Sequence, residues 1–545
     1  MSEVDSLRPL AVVLISLVAV GLIITSHRRP NVRESWSVLA AVGKFAIVAS
    51  MLPGVRDGTV YVWRFETIVP HVDLSLRADP LGMLFALLAS FLWIFTAFYA
   101  TGYMRGLDEH AQTRFFAAFA ASLSAAMGIA FAGNLITIFL FYEMLSIVTY
   151  PLVAHDETDE ARIAGRKYLA YTFLGGGVLL LAGTALVYWL TMVHADPSIA
   201  FQAGGITELV AASDADPWPA RIAFLALAIG FGVKAAVMPV HAWLADAMVA
   251  PTPVSGLLHA VAVVKSGAFG VARVVLDVFG VDLVADLGMD VVLAGMAATT
   301  IVLASFIALR KNNLKRRLAY STVSQLSYIV LGVALLNPLA VLGGLLHMPA
   351  HAFMKLTLFF CAGAIHVETH TDDISDMAGI GRRMPLTMGA FAVAAAGMAG
   401  MPLLAGFVSK FYIVTGGIDA GMAIFAGALI VSGVLNVAYF WPVVYTAFFE
   451  TPERHDPKPI VEHDRAPFRH FVSDGGDAHH DGHHGGPPPG GWEARSPLTE
   501  STWFMLGPIA LLVTGAVILG ILPGEAVFLD LVEQIVEGAV GGVDR

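Results

Sequence analysis

The 545-residue chain has a single cysteine, Cys361, and charged side chains make up only 14% of it. One thiol cannot build a disulfide framework, a structural zinc site or an iron–sulfur cluster, each of which needs several. Any redox chemistry associated with the chain would have to be carried by partners, and no cofactor is expected within it. The shortage of charge, against roughly 25% in an average soluble domain, excludes an ordinary water-soluble fold. A net charge of −11, carried mostly by loops, gives no basic footprint for nucleic acid.

What remains is apolar. Hydrophobic residues make up 57% of the sequence, and mean hydropathy is +0.72. Runs of about 20 apolar residues, the length that crosses roughly 30 Å of hydrocarbon as a helix, recur fourteen times from Leu10–Ser26 to Trp503–Leu522. The chain is therefore predicted to be an all-α polytopic membrane protein of about 14 transmembrane helices. The first run is read as a retained helix, because no small-residue cleavage pattern follows it. Between the second and third runs, the alternation in TVYVWRFE and VDLSL, with Pro70 between, predicts a β-hairpin outside the bilayer. Ile199–Ala212 and Ala526–Val540 have the pattern of interfacial helices.

The loops after odd-numbered spans hold 20 of the 32 Lys and Arg residues, including RKNNLKRR at 310–317, and the other loops and ends hold six. By the positive-inside rule the first set is cytoplasmic, and both termini face the opposite side. The remaining six, 32 − 20 − 6, are Lys44, Lys234, Lys265, Arg273, Lys355 and Lys410, all inside predicted spans. A lysine or aspartate at the bilayer centre costs about 2.5–3.5 kcal/mol, so such groups usually face a bundle interior and mark an ion path. Arg273, one turn from a helix end, and Lys44, in a span with no other polar feature, are read as snorkelling or structural contacts. Lys234, Lys265, Lys355 and Lys410 lie near helix breaks or other titratable groups and are the functional candidates.

Lys234 opens the stretch KAAVMPVHAWLADAMVAPTPVSGLLHAVAVVK, which ends at Lys265 and contains His259. Pro239 removes a backbone donor in mid-span. GMAGMPLLAG around Pro402 echoes KAAVMPVHAW around Pro239, 402 − 239 = 163 residues later, as paired interrupted helices in a transporter of two repeats would. In the eleventh span His347, His351 and Lys355 are spaced by four and line one helix face. Imidazole both donates and accepts and titrates near pH 6.5, which suits a proton wire. Two histidines one turn apart could also hold a metal, but the sequence offers no third ligand there, so no metal is assigned. Glu143, in LFYEMLSIV, is the one carboxylate deep in an apolar run. A Glu–Lys contact that forms and breaks would change a lysine's proton affinity, a physical basis for coupling.

The runs FYEMLSI, HAWLADAMVAPTPVSGLLHA, HAFMKLTLFFCAGAI and GMPLLAGFVSKFYI, in that order, closely resemble the antiporter-like proton-translocating subunits shared by Mrp-type multisubunit cation/proton antiporters, respiratory complex I and membrane-bound hydrogenases. Fourteen spans without a long lateral C-terminal helix look most like the D-type subunit of the Mrp branch. The resemblance implies two inverted five-helix repeats, with helices 7 and 12 broken. It divides the chain into 1–113 (three helices and the hairpin), 114–280 and 287–450 (the repeats), 451–497 (a loop) and 498–545 (the last span and a C-terminal interfacial helix). It implies that Glu143 partners Lys234, that Lys265 and His259 are relays, that His347, His351 and Lys355 form the central wire, and that Lys410 ends the second half. Two departures stand out: WLADA replaces the usual WLPDA, and YTFLGGGVLLL lacks an acidic residue that some members carry.

The loop 451–496 carries seven of the 18 histidines beside PPPGG and cannot build a core, so it reads as a flexible segment, with weak metal binding or partner docking as the minor reading. The function implied is proton translocation within a monovalent cation (Na+)/proton antiporter of several membrane subunits, a transport role and not an enzyme. The alternatives are a proton-pumping membrane-arm subunit of a complex I-like oxidoreductase or hydrogenase, and the membrane subunit of an inorganic-carbon accumulating complex with a soluble zinc partner. The expected location is the cell membrane.

Overall fold

A computed structural model describes residues 2–69, 72–194, 197–451, 485–488, 490–525 and 527–541. Most of the loop expected to be flexible, 452–484, lies outside the described residues. The fold is a helical bundle, as expected, and among the described residues ten helices are long and apolar enough to cross a membrane. Four further expected spans are shorter, split or more polar. Ile222–Val240 is realised as Pro217–Lys234 followed by an irregular segment. Val254–Leu276 is a chain of short α and π pieces, and Leu318–Leu336 begins in the basic run at Leu314. Leu386–Val414 is divided into Pro385–Ala399 and Ala405–Asp419.

The hairpin forms from Thr59–Val69 and Val72–Ala78, antiparallel as the alternation predicts. A strand the sequence did not announce, Ser2–Asp5, pairs parallel with the first of these. The C-terminal helix Val527–Ala539 differs from the expected interfacial element. Its apolar face, with Leu531, Val532, Ile535 and Val536 buried, is docked on the bundle, and Asp530 pairs with Arg56. The stretch expected as interfacial over 199–212 becomes a short helix only at Thr207–Ala215.

At the centre runs Pro338–Thr369, a 32-residue helix whose residues from Ala340 to Ile365 are all buried. Asn337 caps it by accepting from the amides of Leu339 and Ala340. A helix apolar all round is stable only when it is enclosed. Here the surrounding helices, Pro80–Gly106, Leu314–Ala334, Ala405–Asp419 and Trp503–Ile521 among them, enclose it, and its His and Lys side chains are held inside.

Candidate functional site

Both expected breaks are present. After Lys234, the last residue of its helix, the backbone passes through a left-handed residue at Ala236 (φ 56°) and a cis Met238–Pro239 bond before helix resumes at Ala242. After Ala399 it passes through Gly400 (φ 93°) and Leu403 (φ 70°), with Pro402 between, before resuming at Ala405. A left-handed non-glycine residue costs of order 1–3 kcal/mol, so each break must be held by its surroundings. Thr300 helps at the first, its hydroxyl accepting from the Met238 amide at 3.0 Å. Pro239 and Pro402 themselves lie on the outside of the chain.

Each lysine beside a break donates to a main-chain carbonyl in another helical segment. Lys234 donates to Tyr142 O and stands 3.4 Å from the centroid of the Tyr142 ring. Lys410 donates to Met398 O, one helix-half back. Glu143, beside Tyr142, is near enough for its charge to act on Lys234, yet no ion pair joins the two among the described residues. Its Oε1 is buried without a hydrogen-bond partner against Gly177, where a Cβ would lie 2.1 Å away. The expected Glu143–Lys234 contact is therefore open in this conformation.

On the central helix, Lys265 Nζ meets His351 Nδ1 at 2.9 Å. His347 is bonded at both nitrogens, to Gln325 Oε1 at 2.9 Å and to Ser409 Oγ at 2.8 Å. Because Gln325 Oε1 only accepts, His347 Nε2 carries a proton. Ser409 can then serve either state of the ring. It donates to Nδ1 of the neutral imidazole, or accepts from Nδ1 of the cation while turning its own proton to the Gly406 carbonyl 3.3 Å away. Lys355 Nζ donates to Ser321 Oγ at 2.8 Å, with the Leu318 carbonyl at 3.4 Å.

Beyond Ser321 the structure adds residues the sequence reading missed. The Ser321 and Tyr439 hydroxyls are 3.0 Å apart, and Tyr439 bonds Asn436. Asn436 donates to the Met398 carbonyl that also holds Lys410, and to the Tyr328 hydroxyl, each at 3.3 Å. Tyr328 continues to Ser432 at 2.8 Å, which touches Ser305 and Ser324. Lys355 and Lys410 are thus joined through the side chains of Ser321, Tyr439 and Asn436, from two helices, and the Met398 carbonyl of a third. Serine, asparagine and tyrosine are too common in apolar helices for sequence to single these out.

His259 is brought near but not in. It is fully buried beside Phe359, its two nitrogens without partners, in the π-helical turn Leu257–Val261. Such turns recur at functional sites, a signal that sequence does not carry. Of the two cations set aside, Arg273 is held by ion pairs, whereas Lys44 is fully buried with no hydrogen-bond partner for its amine. Arg273 makes a two-pronged bond to Asp79 and a third to Asp277, each at 2.7 Å. Lys44 lies 4.5 Å from the Trp93 ring centroid.

Comparison with known proteins agrees with this architecture. Residues 132–436 match the family described as "NADH:quinone oxidoreductase/Mrp antiporter, TM", and residues 67–116 match "NADH-Ubiquinone oxidoreductase (complex I), chain 5 N-terminus". The chain is 31% identical over 517 residues to NADH-quinone oxidoreductase subunit N of Desulforudis audaxviator, covering 94% of each. It is 32% identical over 430 residues to the A/B subunit of a probable K(+)/H(+) antiporter of Rhizobium meliloti, spanning 40% of that relative's length. Its fold is shared by a chain of the Mrp complex from Dietzia sp. DQ12-45-1b (TM-score 0.77) and by one of an archaeal membrane-bound sulfane sulfur reductase (TM-score 0.78), each at 21% identity with 98% of both chains covered. The chain belongs to the NADH:quinone oxidoreductase/Mrp antiporter family of membrane subunits.

Proposed function

We propose that the chain is a proton-translocating subunit of a multisubunit cation/proton antiporter, of the D type. Protons move along Lys265, His351, His347 and Lys355 at mid-membrane, with Glu143 and Lys234 as the gate of the first half and Lys410 as the end of the second. The observation that carries this is His347, which keeps both ring nitrogens bonded in either protonation state because Ser409 can reverse its hydroxyl. At the Lys265–His351 contact one proton between the amine and Nδ1 satisfies those two atoms, while His351 Nε2 is buried without a hydrogen-bond partner. The His351 and His347 rings are 6.0 Å apart between centroids, so that step needs a bridging water or a side-chain movement. Asn436 cannot pass a proton on as a hydroxyl can. Its part is to tie the Lys355 branch to Lys410, so that a change at one is felt at the other.

The orientation is the one the basic loops favour: 310–317 on the cytoplasmic side of the cell membrane and both termini opposite. The repeats are the segments 114–280 and 287–450, and their two breaks, each beside a buried lysine, support that reading. A second reading, a membrane-arm subunit of a redox-driven complex, is favoured by the likeness to subunit N over 94% of both chains. Mass spectrometry of the partners retained in mild detergent separates the two. Small hydrophobic membrane subunits without redox proteins support the antiporter, and iron–sulfur or flavin subunits support the second. Na+/H+ or K+/H+ exchange in vesicles then tests the antiporter directly: normal exchange in both Lys234→Ala and Lys355→Ala would sink the proton path.

A further inference from the structure

Away from the lysines, at one end of the bundle, the turn between Pro80–Gly106 and Gln112–Ala130 meets the chain leaving Leu135–Val153. Glu109, His110 and His155 converge there, each with a ligand-type atom within 4.8 Å of the others. Glu109 Oε2 lies 3.8 Å from His110 Nδ1 and 3.8 Å from His155 Nε2, and the two imidazole rings are 4.7 Å apart. His155 is fully buried, and neither ring nitrogen has a partner at full hydrogen-bond geometry, the His110 main chain making only a weak approach. Leaving a buried polar atom unpaired costs about 1–3 kcal/mol, so a group held this way calls for a ligand.

The surroundings fix the cluster. Phe115 closes the His155 ring edge-on at 5.5 Å. Arg114 donates to the His155 carbonyl at 3.1 Å and pairs with Glu157, which occupies the nearest guanidinium. Asp108, Ala111 and Glu157 all have left-handed backbone (φ 49°, 48° and 58°), bracketing the three side chains.

We propose that Glu109, His110 and His155 form a site for a divalent cation of the zinc class, separate from the transport path. Two imidazole nitrogens and one carboxylate oxygen are a zinc-type donor set, and the fourth position would go to water. Bonds of 2.0–2.2 Å place tetrahedral donors about 3.3–3.6 Å apart, so the observed 3.8 Å separations need only a small inward movement. His110, half exposed, is free to supply it.

The test uses the intact complex, stripped with a chelator, in a background where all seven loop histidines (His455, His463, His470, His479, His480, His483 and His484) are changed to alanine so that they cannot compete. Zn2+ binding is measured by equilibrium dialysis, and Co2+ is added as a spectroscopic probe. One high-affinity equivalent per chain is expected above that of the variants, with the d–d absorption of low-coordinate cobalt. Glu109→Gln and His110→Ala, at more accessible positions, should each weaken binding at least about tenfold, the scale at which even outer-shell changes act. His155→Ala should abolish it; if that variant fails to assemble, the other two carry the test. Equal binding by the parent, Glu109→Gln and His110→Ala, or none by an assembled parent, overturns the proposal.

Discussion

In the segment 114–280, Glu143 Oε1 and both nitrogens of His259 are buried without a hydrogen-bond partner, and Lys234 rests on a carbonyl and an aromatic face. In the segment 287–450, His347 is bonded at both nitrogens, and Lys355 and Lys410 are tied together through Ser321, Tyr439 and Asn436. The two segments share a break and a buried lysine held by a main-chain carbonyl, and His351 Nε2 in the second is also buried without a partner, but hydroxyl and amide side chains hold His347 and Lys355 of the second. Buried polar groups that are satisfied are fixed in place, whereas unsatisfied ones favour any rearrangement that supplies a partner. On the proposed proton path the first segment is the one expected to rearrange, with closure at the Glu143–Lys234 contact, and the second is the expected relay.

The sharpest way to break this contrast is at the groups both segments depend on. Lys355→Ala should reduce exchange in proteoliposomes to background while the complex still assembles, and so should Lys234→Ala. Next, Tyr439→Phe removes the hydroxyl that links Ser321 to Asn436. One lost buried hydrogen bond of about 1–2 kcal/mol predicts roughly a tenfold slower rate of proton-gradient dissipation. His347→Ala should fall in the same range.

His259→Ala makes the comparison finer. With no protein partner to lose, it should slow the same assay less than about threefold, well short of His347→Ala. Equal losses in the two variants would mean that the hydrogen-bond asymmetry has no bearing on transport. Smallest of all, Ser432→Ala takes the acceptor from Tyr328 off the main line. It should lower the thermal midpoint of the purified complex, by the worth of about 1 kcal/mol, and leave exchange within about twofold of the parent.

Much of this was legible in the chain itself. Charges in an apolar run are conspicuous because they are expensive there, so Lys234, Lys265, Lys355 and Lys410 stood out, as did the four-residue rhythm of His347, His351 and Lys355. Pro239 and Pro402 marked the breaks because proline cannot donate within a helix. The hairpin showed in its alternation, but the strand at Ser2–Asp5 did not, since four residues give too little pattern. The docking of Val527–Ala539 was also hidden, because an amphipathic helix looks alike whether its apolar face meets lipid or protein.

Composition and apolar run length by themselves determined that this is a multi-helix membrane protein with buried cations, because hydrocarbon tolerates only satisfied backbone and rare charge. The tertiary structure alone decided which groups meet. Ser321 and Tyr439 are 118 residues apart in the chain, and Glu109 and His155 are 155 − 109 = 46 apart. An ordinary serine, tyrosine or histidine acquires a role only when a neighbouring helix brings its partner within about 3–4 Å.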